Sequence, residues 1–276
     1  MMNDGASDQP GVAHDAAPSA PRYVDLNCDA GEAFGPWPMG DDKALIPLVT
    51  SVNIACGAHA GDPLVMRRTV ELAVRHGVAV GAHPGYPDLQ GFGRRALALS
   101  PGEVEVWVLA QIGALAAIAH AAGAPLRHVK AHGALYNAAS DDPALAGAIA
   151  RAVRAYDAGL VLVARAASAQ ATAARELGLR VAEEAFVDRN YDAAGRLLPR
   201  GRADALITDA HVAADRAVSL VQAGGLYAAD GTWLRLRADT LCIHSDTPGA
   251  HALAQELRAV LERAGILLRP IYEPAN

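Results

Sequence analysis

Short apolar runs alternate with helical stretches along most of this chain. Eight runs have the length and composition of buried strands: residues 23–26, 52–55, 78–81, 127–129, 160–163, 180–182, 205–207 and 240–243. Strand, helix, strand units joined by short connections predict a mostly parallel sheet. Seven or eight such units predict an α/β fold that closes into a barrel, either of the (β/α)8 type or a seven-stranded variant.

An open doubly wound sheet is the alternative fold. Such a sheet usually gathers its site at one switch point, with a glycine-rich loop after the first strand. In this chain acidic residues follow the first predicted strand, and polar residues follow nearly every later one. This distribution favours the barrel.

Capping residues mark the ends of the predicted helices. Four pairs place a side-chain oxygen before a proline at the first helical position: Asp62-Pro63, Ser100-Pro101, Asp142-Pro143 and Thr247-Pro248. Glycines that can take a left-handed conformation mark three helix ends: Gly77, Gly123 and Gly178. Residues 188–202 lack a helical pattern and predict a long loop over the barrel mouth, and residues 226–236 predict a small hairpin.

The two ends of the chain differ in composition. Residues 1–21 are rich in Ala, Asp, Gly and Pro, have no signal-peptide pattern, and predict a disordered tail. We predict that residues 22–276 form a single (β/α) barrel domain.

The apolar stretch 104–122 contains Glu105 and His120 between helix start and stop signals, which predicts a buried helix and no membrane span.

Charge and cysteine content narrow the class of protein. The chain has 276 residues and a formal net charge of −6, without a Lys/Arg-rich run, so we expect no nucleic-acid partner. Its three cysteines are odd in number and form no C-x-x-C pair. This predicts buried, reduced thiols and a cytoplasmic location.

The first predicted strand leads into the sequence DLNCDAGE. Asp25, Asn27 and Asp29 alternate, so their side chains point to the same side of a strand. An acidic row directed into a barrel mouth can bind a divalent cation or transfer protons, whereas the alternative is a solvated turn. We predict that Asp25 and Asp29 are catalytic and that Asn27 and Glu32 bind substrate.

Histidines follow the second and third predicted strands. His59, in NIACGAHAGD, suits a base or a metal ligand and is predicted to be catalytic, and Asn53 and Asp62 are predicted to bind substrate. Asp62 is explained equally well as a helix cap. His83 is held in a fixed direction by the following proline and is also predicted to be catalytic.

Cations and further acids follow the later strands. Of the arginine pair in GFGRR, Arg94 is predicted to clamp a carboxylate or phosphate. Lys130 is one of only two lysines in the chain, and we predict that it is catalytic because a compact point charge is suited to a carbonyl or phosphate. The remaining predictions are His132 and His244 as catalytic groups and Asp188, Arg189 and Asp246 as substrate-binding groups.

These residues leave open whether the protein binds a metal ion. Asp25, His59 and His83 are the candidate ligands for a divalent cation. Glu183 and Glu184 either complete the polar ring or pair with nearby arginines. Nucleotide-binding glycine motifs, a G-x-S-x-G elbow and H-E-x-x-H are all absent from the sequence.

Several motifs in one order resemble the LamB/YcsF family: DLNCDAGE, NIACGAHAGD, GAHPGYPD with GFGRR, RHVKAHGALYN, FVDRNYDAAGRLLPR and CIHSD. The resemblance covers the chain from Tyr23 to the C-terminal helix. Ala131 and Ser245 depart from the residues usual in the family, proline and glycine, but both are neighbours of the predicted site residues. The resemblance implies a distorted seven-stranded (β/α) barrel similar to those of polysaccharide deacetylases and glycoside hydrolases.

The LamB/YcsF family is described as the A subunit of a bacterial ATP-dependent 5-oxoprolinase. The resemblance therefore implies cleavage of 5-oxo-L-proline to L-glutamate with hydrolysis of ATP to ADP and phosphate. It also implies 5-oxoprolinase subunits B and C as partners, and ATP with Mg²⁺ or another divalent cation. A homo-oligomer is compatible with this assignment. A stand-alone metal-dependent amidase or deacetylase is the alternative, and a non-enzymatic carrier is third.

Overall fold

The computed structural model describes residues 23–244 and 249–272. The predicted N-terminal tail, Asp246 and the Thr247-Pro248 cap lie outside the described residues. The described strands are β1 (Tyr23–Ala30), β2 (Ser51–Ala55), β3 (Ala79–His83), β4 (Leu126–Lys130), β5 (Val161–Arg165), β6 (Arg180–Phe186), β7 (Gly225–Tyr227), β8 (Trp233–Arg235), β9 (Thr240–Ile243) and β10 (Leu267–Leu268). The described helices are α1 (Asp42–Leu45), α2 (Pro63–Arg75), α3 (Pro101–Ala121), α4 (Gly133–Asp141), α5 (Pro143–Tyr156), α6 (Ala169–Glu176), α7 (Ala210–Ala223) and α8 (Ala250–Arg263).

Seven parallel strands of the described chain close into a barrel. Their order is β1, β2, β3, β4, β5, β6 and β9, and β9 pairs with β1 to complete the ring. At this seam Asp25 lies opposite Thr240 and Asn27 lies opposite Cys242. The strands are buried along nearly their whole length because helices cover the outside. The α/β barrel with seven strands is therefore confirmed.

One predicted strand is wrong. Residues 205–207 do not join the barrel but pair with the loop that follows β6. The amide of Asn190 donates to the carbonyl of Ala205 over 3.0 Å, and the amide of Ile207 donates to the carbonyl of Asp188 over 2.9 Å. The backbone groups of this run are therefore satisfied by the loop and not by a barrel strand. The hairpin predicted for residues 226–236 is confirmed as β7 and β8, which pair antiparallel.

The predicted caps account for the helix boundaries. The side chains of Asp62, Ser100 and Asp142 accept hydrogen bonds from the first-turn amides of α2, α3 and α5. Gly77 and Gly123 take positive φ angles of 68° and 74° directly after α2 and α3. These turns reverse the chain so that each helix returns to the strand that follows it.

Helix α3 covers the predicted apolar stretch, but only one of its faces is buried. Val108, Ile112 and Leu115 are buried in the core, whereas Val106 and Trp107 are 67% and 44% exposed. Within the described residues, α3 is the helix whose length and composition alone would suit a membrane span. In this fold it belongs to the outer layer of the barrel and packs on α5.

A carboxylate near the base of the barrel joins three strands. Asp25 of β1 accepts hydrogen bonds from Thr50 (2.7 Å), from Ser51 of β2 (2.6 Å) and from Thr240 of β9. Burial raises the pKa of Asp25 to about 6, although the three hydroxyl groups act in the opposite direction. Asp25 thus links β1 to β2 and to β9, the strand that closes the barrel.

We expect Asp25 to make stability dependent on pH. Because the folded carboxyl group binds its proton more tightly than the unfolded one, its stabilisation is complete below about pH 4 and is lost as the pH rises to about 6. The difference from the ordinary pKa corresponds to about 3 kcal/mol. Urea denaturation at several pH values between 4 and 7 measures this effect. From pH 4 to pH 7, the free energy of unfolding of Asp25→Asn should rise by about this amount relative to that of the unsubstituted chain.

Asp62→Asn is the control for this experiment. Backbone amides, that of Gly35 first, lower the pKa of Asp62. The difference in the free energy of unfolding between Asp62→Asn and the unsubstituted chain should therefore change little from pH 4 to pH 7, and in the opposite direction. A constant difference for Asp25→Asn over the whole range would contradict the assignment.

Candidate active site

The carboxyl ends of the strands and the loop after β6 enclose a cavity of about 770 Å³. This is the end of a parallel barrel where active sites form. Its cationic lining residues are Arg94, Lys130, Arg165, Arg189, Arg196 and Arg200. Its acidic and imidazole lining residues are Asp29, Glu32, Asp141, Asp192, His83, His132 and His244. The cavity therefore combines cationic groups that can bind anions with carboxyl and imidazole groups that can transfer protons.

Lys130 lies at the centre of the floor, at the end of β4. Its Nζ is 2.8 Å from Glu184 Oε1, 3.1 Å from Asp29 Oδ1 and 3.0 Å from Cys242 Sγ. Burial by itself lowers the pKa of Lys130, but the carboxylates of Asp29 and Glu184 outweigh it and raise that pKa well above its usual value. Lys130 is therefore a permanent cation that faces the cavity.

Asp29 connects Lys130 to the histidines. Its Oδ2 is 3.4 Å from His83 Nε2, and its Oδ1 accepts a hydrogen bond from Asn53 Nδ2 over 3.0 Å. Burial raises the pKa of Asp29, but His83 and Lys130 hold it well below its usual value. Asp29 is thus an ionised carboxylate at neutral pH.

Three histidines and Glu32 form a second layer beside Asp29. His132 Nδ1 is 3.0 Å from His83 Nε2 and 3.7 Å from Glu32 Oε1. His59 stacks on His132, with ring centroids 3.8 Å apart. Burial lowers the pKa of His132 to about 3 and that of His59 well below its usual value, so both rings are neutral. These four side chains form a buried cluster that could hold a metal ion.

Two glycines make room for the stacked rings. A Cβ at Gly85 would lie 2.7 Å from His59 Nδ1, and a Cβ at Gly93 would lie 2.7 Å from the Cβ of His59. Gly93 also has a positive φ angle of 61°. The glycines of the GAHPG and GFGRR segments therefore have a direct role in packing the histidines.

A further histidine lies across the cavity. His244 Nδ1 is 2.9 Å from Asp188 Oδ2, and its ring stacks on Phe186 with centroids 5.4 Å apart. Asp29, Cys242 and His244 form a second group of atoms close enough to hold a metal ion. Burial raises the pKa of the Cys242 thiol well above its usual value, which disfavours a thiolate there.

Arg189 and Arg94 lie at the cavity as the sequence predicts. Arg189 is only 6% exposed, its Nε has no hydrogen-bond partner among the described residues, and burial lowers its pKa. The guanidinium of Arg94 lies 5.0 Å from the centroid of the Phe92 ring. Arg95 instead pairs with Asp88.

Some predicted site residues are not part of the cavity lining. Asp25, Asn27 and Asn53 are buried in the barrel below it, where Asn53 Nδ2 donates to Asn27 Oδ1 over 2.7 Å. Asp62 caps α2 and accepts from the amides of Gly35, Leu64 and Val65. Asn27 and Asn53 support Asp29 from below, and direct substrate contact by these four residues stays a prediction.

The sequence interpretation left the roles of Glu183 and Glu184 open and missed Tyr136 and Arg165. Glu184 contacts Lys130, and Tyr136 of α4 donates to Glu184 Oε2 over 2.8 Å, whereas Glu183 pairs with Arg175 outside the barrel. Alternation along β6 requires adjacent glutamates to face opposite sides, which could have identified one of them as internal. Arg165 ends β5 and obeys the same strand-end rule as the predicted residues.

Relatives of this chain are numerous and similar over most of its length. The A subunit of 5-oxoprolinase from Chloroflexus aggregans is 58% identical over 246 residues, which cover 89% of this chain and 98% of the relative. The corresponding protein of Syntrophobacter fumaroxidans is 54% identical over 243 residues, which cover 88% and 96%. The solved lactam utilization protein of Thermus thermophilus matches with a TM-score of 0.86 and 51% identity over 90% of this chain and 99% of that one.

The family match includes the barrel and every residue of the cavity lining. It runs from residue 24 to residue 276, and the resemblance seen in the sequence motifs is confirmed. Identity above 50% over nearly the whole of two relatives supports the same assignment. The chain belongs to the LamB/YcsF family.

Proposed function

We propose that this chain is the A subunit of a cytoplasmic, ATP-dependent 5-oxoprolinase. It opens 5-oxo-L-proline to L-glutamate while ATP is hydrolysed to ADP and phosphate. The relatives named as the A subunit of 5-oxoprolinase support this proposal over nearly their full length. The observation that carries it is the buried cation Lys130, which lies between the carboxyl groups of Asp29 and Glu184 at the floor of an arginine-lined cavity.

The chemistry requires a cation beside the lactam oxygen. A five-membered lactam is an unactivated amide, and phosphorylation of its oxygen by ATP would activate the ring carbon toward water. The ring C–N bond then breaks, and the resulting acyl phosphate is hydrolysed to glutamate and phosphate. Negative charge is spread over the transferred phosphoryl group beside that oxygen, and a fixed cation in a water-poor site stabilises it. Lys130 meets this requirement because Asp29 and Glu184 hold its Nζ in place.

The histidines supply proton transfer. His83 Nδ1 is 2.8 Å from the carbonyl oxygen of Lys130 and therefore donates to it. Its Nε2 keeps the lone pair of the ring, which can either accept a proton from water or bind a cation. Asp29 lies 3.4 Å from this nitrogen and stabilises the imidazolium that forms.

The arginines suit the anionic parts of the substrates. ATP, which carries Mg²⁺, and 5-oxoproline both bring negative charge into the cavity. Arg189 has a buried guanidinium whose Nε is unpartnered among the described residues, so it can bind a phosphate or carboxylate oxygen directly. Arg94 and Arg165 lie on the same lining.

Partner subunits belong to the same proposal. The relatives are designated as the A subunit, which implies other subunits in a complex. We propose that these are subunits B and C. The three buried cysteines Cys28, Cys56 and Cys242 are free thiols, which supports a reducing compartment.

A metal-dependent amidase is the second candidate function. The buried cluster of Glu32, His59, His83 and His132 favours it, since such a cluster could activate water for attack on an amide. The two functions differ in whether amide cleavage requires ATP.

The first prediction concerns the overall reaction. This chain assayed with subunits B and C should release glutamate and phosphate from 5-oxoproline and ATP, and omission of any component should abolish both products. Glutamate is measured by a coupled dehydrogenase assay and phosphate by colorimetry. ATP-independent glutamate release by this chain alone would favour the amidase.

The second prediction concerns Lys130. Lys130→Met should lower turnover of the three-subunit enzyme by at least about 100-fold, because the cation opposite the developing charge is lost. Lys43→Met removes the other lysine, which is exposed on α1, and should leave turnover unchanged. Circular dichroism verifies folding, and unchanged turnover of folded Lys130→Met would remove this residue from the mechanism.

The third prediction concerns Arg189. Arg189→Met should raise the KM for ATP or for 5-oxoproline by about tenfold or more, with a smaller effect on kcat, because a charge-assisted hydrogen bond is lost. Arg202→Met is the matched control in the same loop, since Arg202 is exposed and pairs with Asp204. Equal KM values for both variants would refute the assignment.

A further inference from the structure

Four buried side chains with metal-binding atoms meet at one side of the cavity floor. Glu32, His59, His83 and His132 are 5%, 0%, 1% and 3% exposed. One ligand atom from each lies within 4.8 Å of the others. We refer to this set as the histidine cluster.

The hydrogen-bond partners of two rings settle where their protons are. His83 Nδ1 lies 2.8 Å from the carbonyl oxygen of Lys130, and His132 Nε2 lies 2.8 Å from the carbonyl oxygen of Phe92. A carbonyl oxygen can only accept, so both of these nitrogens donate. The other two nitrogens, His83 Nε2 and His132 Nδ1, face each other at 3.0 Å, and each has a lone pair when its ring carries a single proton.

More acceptors surround these lone pairs. Asp29 Oδ2 is 3.4 Å from His83 Nε2, and Glu32 Oε1 is 3.7 Å from His132 Nδ1. Neither ring nitrogen of the fully buried His59 has a hydrogen-bond partner among the described residues. Buried ring nitrogens whose lone pairs find no donor are unfavourable, and a bound cation would satisfy those of His59, His83 and His132 together.

We propose that Glu32, His59, His83 and His132 bind a divalent transition-metal ion of the zinc class. Imidazole nitrogens with one carboxylate suit zinc and cobalt, whereas Mg²⁺ prefers oxygen ligands. The carbonyls that hold His83 and His132 orient the rings, as outer contacts of metal-bound histidines commonly do. Asp29 remains the partner of Lys130.

The ion would face the substrate space. Glu32, His83 and His132 line the cavity, which gives the ion a path of entry and an open side toward a ligand. This inference goes beyond the proposed function and deepens the description of the same site. Its test measures bound metal and not glutamate, so failure of one proposal is distinguishable from failure of the other.

The test begins with the full chain after removal of metal by a chelator. Titration with Zn²⁺, followed by calorimetry, should show one tight site per chain, and Co²⁺ should give the absorption bands of a cobalt–histidine site. The melting temperature should rise with added Zn²⁺ and respond far less to Mg²⁺. Failure of the unsubstituted chain to bind Zn²⁺ or Co²⁺ would overturn the proposal.

Variants locate the ion. His59→Gln and His132→Gln should each weaken Zn²⁺ binding by at least about tenfold, because each removes one imidazole. His211→Gln, on an exposed side chain, should bind as the unsubstituted chain does. His244→Gln should also retain the site. Loss of binding in His244→Gln but not in His59→Gln would overturn the proposal and move the ion to the group of Asp29, Cys242 and His244.

Discussion

The burial of Lys130 between two carboxylates is the interaction on which the rest of the site depends. A charge that is 3% exposed persists in a barrel interior only when opposite charges and hydrogen bonds compensate its lost hydration. Asp29 comes from β1 and Glu184 from β6, and both strands flank β9. The positions of these strands are thereby coupled to one ammonium group on β4. A shift of any one of them would leave a buried charge unpaired, which is far more costly than losing an exposed ion pair.

The barrel interior changes from hydroxyl groups and amides to full charges toward the mouth. Asp25 lies lowest and is satisfied by three hydroxyls, and Asn27 and Asn53 form the layer above it. Asp29 and Lys130 follow, and the histidines and arginines lie beside the cavity. Alternation along β1 produces this order, since residues 25, 27 and 29 point inward in turn. Asn27 and Asn53, which were predicted to bind substrate, thus make contacts that support the residues above them.

Much of this arrangement could be predicted from strand ends and caps. Seven of the eight predicted strands form the barrel, because buried parallel strands have a continuous apolar pattern that local sequence reveals. Residues 205–207 share that pattern but hydrogen-bond to the loop after β6, a choice that depends on a chain segment fifteen or more positions away. The roles of Glu183 and Glu184 could not be separated either, because a sequence shows two adjacent acids and not which one faces inward.

The sequence by itself determined the class of fold, the end of the barrel that carries chemistry, and most of the side chains found there. These follow from local propensity and from the rule that parallel strands share a carboxyl edge. Only the tertiary structure decided which groups touch: Glu184 with Lys130, and His83 with His132 at 3.0 Å. The physical reason is that hydrogen bonds and charge compensation act over a few ångströms in space, between residues that lie tens of positions apart along the chain.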